Sequence, residues 1–133
     1  LYKALVDTKK ASAASSMDFQ LRESGMLLAN ARVRKENSLE EAEKTLLATI
    51  ESMVKEPPSK EEVDRAKARI LKQIELNLAN ASQVGVELSE WESMGDWRMI
   101  FLHRDRIGQV TPADVERVAK AYLKKSNLTL GRF

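Results

Sequence analysis

The feature that most constrains this chain is an alternation with a period of two that begins at Ala11. Ala11, Ala13, Ser15, Met17, Phe19 and Leu21 alternate with Ser12, Ala14, Ser16, Asp18, Gln20 and Arg22, which is the pattern of a strand with two unlike faces. Glu23-Ser24-Gly25 reads as a turn, with Gly25 free to take a positive φ, and the alternation resumes as Leu27, Ala29, Ala31 and Val33 against Leu28, Asn30, Arg32 and Arg34. Two long strands in an antiparallel hairpin follow. The side chains on the packing side are unusually small, so a helix or another backbone can approach closely.

Everything after the hairpin reads as helix until the last few residues. The opening Leu1–Val6 suits the tail of a helix ended by Asp7-Thr8-Lys9-Lys10, too short to stand alone in water, so earlier residues are expected to belong to the same unit. Ser38 with Glu41 makes a capping box that starts a helix at Leu39, with Ala42, Leu46, Leu47, Ile50, Met53 and Val54 on one stripe until Pro57-Pro58 stops it. Ser59 with Glu62 opens a longer helix, with Val63, Ala66, Ile70, Ile74 and Leu78 inward and an end near 79–82. A break or bend near 81–85 leads to Val84, Leu88, Trp91 and Met94, and Gly95-Asp96 turns the chain. Trp97, Ile100, Phe101 and Ile107 suit a short helix ending at Gly108. Thr111 caps a last helix with Pro112 in its first turn and Val115, Val118, Ala119, Tyr122 and Leu123 inward. Leu128, Leu130 and Phe133 alternate as a final strand. The expected fold is α+β, a long antiparallel hairpin plus a C-terminal strand in a sheet covered on one face by about five helices. Its 133 residues suit one domain, 1–133.

Composition excludes several classes of chemistry. With 22 Lys+Arg against 20 Asp+Glu the net charge is +2, without the basic stripe that nucleic-acid binding requires. No run approaches the roughly 20 apolar residues of a membrane span. The first ten residues lack the pattern of a secretion signal, and a start at Leu1 rather than Met reads as an excised or processed piece. There is no Cys and a single His, His103. Zinc peptidases normally supply at least two His from one helix, so neither HExxH nor HxxEH can form, and no GxSxG elbow supports a serine nucleophile. His103-Arg104-Asp105 resembles a kinase catalytic tripeptide only superficially, because Val110 stands where the Asn is required. Glu40-Glu41 and Glu61-Glu62 lie at helix starts, where the macrodipole accounts for them. No catalytic or metal-binding residue is therefore expected. Trp91, Trp97 and Phe101 are expected to anchor core or inter-unit packing, core being the commoner role of such residues. Arg104 and Asp105 suit a solvated or inter-domain face.

One order of short segments carries more information than any of them singly: Glu62-Val63-Asp64-Arg65-Ala66-Lys67, Leu88-Ser89-Glu90-Trp91, Met94-Gly95-Asp96-Trp97-Arg98, Phe101-Leu102-His103-Arg104-Asp105, Thr111-Pro112-Ala113-Asp114-Val115 and Ala121-Tyr122-Leu123. In this order and spacing the chain resembles, over nearly its whole length, the M16 (insulinase and pitrilysin-like) zinc peptidases of bacteria. The resemblance implies repeated α+β units in two halves around a closed chamber, with zinc held by HxxEH and a distal Glu. None of those ligands is present. The family's Arg and Tyr, seven residues apart, fall on Val6 and Ala13, which can neither donate to a carbonyl nor stabilise an oxyanion. The resemblance thus implies a noncatalytic unit, like the one that follows the zinc-bearing domain, lacking its first strand and helix. Zinc would be bound by another domain, of the same polypeptide or a partner subunit, the assembled protein would cleave peptides, and its place would be the bacterial cell envelope or periplasm. The alternative is a non-enzymatic scaffold or assembly subunit built on the same fold.

Overall fold

Side-chain caps fix where most of the helices begin. The computed structural model describes Leu1–Phe133 and contains, in chain order, α1 (Tyr2–Leu5), β1 (Ala13–Phe19), β2 (Met26–Arg32), α2 (Leu39–Lys55), α3 (Lys60–Leu78), α4 (Ala81–Ser93), α5 (Met99–Gln109), α6 (Pro112–Tyr122) and a 3₁₀ turn, Lys125–Asn127. The Ser59 hydroxyl accepts the Glu62 amide at 3.2 Å and the Glu62 carboxylate accepts the Ser59 amide at 3.0 Å, a complete reciprocal box. At Ser38 only half of the expected box forms. Its hydroxyl accepts the Glu41 amide at 3.1 Å, while the Glu41 carboxylate pairs with Lys10 at 3.2 Å. Asn80 Oδ1 accepts the amides of Ser82 and Gln83, so the break between α3 and α4 falls at 79–80 and Gly85 lies inside α4. Thr111 and Asp114 cap α6 reciprocally, at 3.2 and 3.1 Å. Replacing Ser59 with Ala should cost about 1 kcal/mol, read as a lower urea midpoint at unchanged slope. An unchanged midpoint would show that this cap contributes nothing.

Backbone packing divides the chain into two compact units, Leu1–Gln20 with Ser24–Pro57 and Glu116–Phe133, and Leu21–Glu23 with Pro58–Val115. In the first unit β1 and β2 pair antiparallel from Ala13↔Arg32 to Phe19↔Met26. Ala14, Ala29, Ala31 and Val33 pack against a core of Leu5, Ala11, Ala42 and Leu46. The small side chains thus let α2 lie close to the hairpin. On the opposite face the cross-strand pairs Met17↔Leu28 and Phe19↔Met26 are exposed.

Two local expectations need correction. The C-terminal strand does not form: the sheet has two strands, and residues 128–133 follow the 3₁₀ turn without joining a ladder. Gly25 has no positive φ. It is needed because a Cβ there would lie 2.7 Å from the Phe19 carbonyl oxygen. In the turn after α1 the residue with a positive φ is Lys9, at φ 61, whose carbonyl accepts from Asn37 Nδ2 at 2.7 Å.

In the second unit α3, α4 and α5 pack together around Val63 and Ile100, both buried. Asn77 Nδ2 donates to Glu87 at 2.7 Å, tying α3 to α4. Lys67 Nζ donates to the Val110 carbonyl at 3.0 Å, placing a cation of α3 on the C-terminal end of α5, where the helix dipole favours it.

Exposed ion pairs make the folded chain sensitive to acid. The Arg132 guanidinium hydrogen-bonds Glu43 and holds its carboxyl below the usual range. Lys60 does the same for Asp64 and Arg98 for Asp96. Carboxyls depressed in this way bind protons less readily folded than unfolded. Their contribution to stability is complete above the unfolded value of about 4 and is lost as the pH falls through the lower folded values. The melting temperature should therefore fall on acidification below about pH 4. Arg132→Gln should shrink that fall, and a melting temperature flat from neutral pH to below the carboxylate range would contradict the assignment.

Candidate functional site

The residues singled out in the sequence are all in the second unit, and the turn between α4 and α5 positions them. Gly95 ends α4 at φ 133, a conformation that side-chain-bearing residues rarely adopt. The Glu92 carboxylate then accepts the Trp97 amide at 3.1 Å. Asp96 accepts the Arg98 amide at 2.9 Å and grips its guanidinium. Trp97 is thereby held at the threshold of α5, one turn before Phe101. The two rings meet edge to face, with centroids 6.2 Å apart and planes at 79°. One turn further on, the Arg104 guanidinium carbon lies 5.6 Å from the Phe101 ring centre, and the same guanidinium pairs with Asp105 at 2.9 Å. Trp97, Phe101, Arg104 and Asp105 therefore form one connected strip.

The strip is on the surface. Trp97 is 45% exposed and Phe101 38%. Trp91 stands apart on α4, half-buried, with its ring 5.1 Å from that of His103. Met99 and Leu102, absent from the sequence-based candidates, extend the exposed apolar area. Their signal was present in the run Met99-Ile100-Phe101-Leu102. Four consecutive residues of a helix span nearly a full turn, so they cannot all face one interior.

The donor set does not fit zinc. A zinc site needs three or four converging side chains, whereas His103 stacks beside Trp91 and no three His, Cys, Asp or Glu side chains stand close enough together to hold a metal. Val6 and Ala13 offer no polar side-chain atom. What the geometry presents is an exposed strip of two aromatic rings with a guanidinium paired to a carboxylate beside them.

A two-stranded antiparallel sheet with six α-helices makes the fold α+β. A family model described as the peptidase M16 inactive domain matches residues 1–70. The inactive peptidase domain of a putative zinc protease from Bordetella parapertussis superposes with a TM-score of 0.90 at 39% identity, over 99% of this chain and 71% of that one. A putative zinc protease from Bordetella pertussis Tohama I gives 0.88 at 41%, over 99% and 73%. A protease from Helicobacter pylori gives 0.84 at 26%, over 94% and 30%. No curated protein matches. The chain belongs to the M16 peptidase family, as an inactive peptidase domain.

Proposed function

We propose that residues 1–133 act as one noncatalytic structural module of an M16 zinc peptidase, packing against the zinc-bearing domain and forming part of the wall of its substrate chamber. Zinc and the HxxEH helix belong to that other domain, on the same polypeptide or a partner subunit, and the assembled protein hydrolyses peptide bonds.

The observation that carries this reading is the surface left uncovered. The chain exposes 10229 Å², against about 7,000 Å² for a compact monomer of this mass and about 8,500 Å² even for two separate compact bodies of half the mass. Exposed large apolar side chains occur along the whole chain, and among them are the outer face of the hairpin (Met17, Phe19, Met26, Leu28) and the α5 strip. Exposed apolar patches of this kind mark association surfaces, and Trp, Phe and Arg in contact make good anchors there.

Co-expression with the zinc-bearing domain tests the proposal. The two should co-purify, and an antibody to this chain should detect in its source cell either a product well above 15.0 kDa or a stable complex with a chain carrying HxxEH. Trp97→Ala with Phe101→Ala should weaken the association by about 2 kcal/mol or more while leaving the fold intact by circular dichroism. A solitary 15.0 kDa species with no such partner would overturn the reading. A complex without any HxxEH chain would make the domain a scaffold subunit.

A further inference from the structure

We draw no further inference here: the strongest candidate, the exposed strip of Trp97, Phe101 and Arg104 along α5 and the turn before it, belongs to the surface already described, and nothing in the structure shows what covers it.

Discussion

Leu5→Ala is expected to destabilise the first unit by about 2–5 kcal/mol, the range for removing most of a buried leucine. Leu5 is the one large side chain of the protein that is completely buried, at 0% exposure. It sits on α1, four residues long, and a helix of one turn has no stability of its own. What holds α1 is therefore the contact of Leu5 with Ala11, Ala42 and Leu46. Three of those four core residues are small or on the rigid α2 stripe, so the walls cannot collapse far into the cavity. Against a total stability of 5–15 kcal/mol for ordinary domains, the loss is large enough to shift the urea midpoint visibly. The Ala11 amide, which donates to the Leu5 carbonyl at 2.9 Å, should lose its exchange protection first. A change below about 0.5 kcal/mol, the range of neutral surface substitutions, would mean that α1 is not part of the core.

Much of this fold could be read from single residues, where a local rule decides the outcome. Ser59, Thr111 and Pro57-Pro58 set helix ends through hydrogen bonds within a few residues, and the helices begin and stop where those residues predict. The hairpin was legible for the same reason: alternation from Ala13 to Phe19 and from Met26 to Arg32 needs only the two strands to satisfy each other. What escaped depends on parts distant in sequence. Leu128 and Leu130 alternate as a strand would, but a strand exists only with a neighbour, and neither β1 nor β2 pairs with them. Glu41 was read as closing a box on Ser38, yet Lys10, thirty-one positions earlier, competes for the same carboxylate and the charged partner wins. Gly25 was read through its backbone freedom, whereas its real constraint is the nearness of the Phe19 carbonyl.

The candidate residues show the same limit. Sequence spacing assigns Trp97 and Phe101 to core or inter-unit packing and Arg104 to a solvated or inter-domain face, while the structure brings the three together as an edge-to-face ring pair with the guanidinium beside it. Spacing could not decide whether the two rings looked inward. The number of buried apolar residues is a property of the whole chain, and here only seven are buried while Trp97, Met99 and Leu102 stay exposed. A surface of that kind is economical only when something else covers it, which joins the small core to the proposed role in a larger peptidase.

The contrast between two positions on α5 tests that orientation directly. Ile100 is 2% exposed and, with Val63 of α3, forms the buried part of the second unit, whereas Leu102 is 54% exposed. Ile100→Ala should cost about 2–5 kcal/mol, through the lost transfer energy and the cavity left against α3. It should also loosen the end of α5, so that the Lys67 to Val110 hydrogen bond no longer holds and the amides of α5 exchange faster. Leu102→Ala, two residues away in the same helix and more than half exposed, should cost under about 1 kcal/mol, well below the loss at Ile100. Both variants are measured by urea unfolding monitored through tryptophan fluorescence, since Trp91 and Trp97 both report on this unit. Equal losses at the two positions would place Leu102 in the core and remove the apolar strip from the surface. A large loss at Ile100 alone fixes which side of α5 is interior, and leaves Leu102, with Trp97 and Phe101, available to a partner.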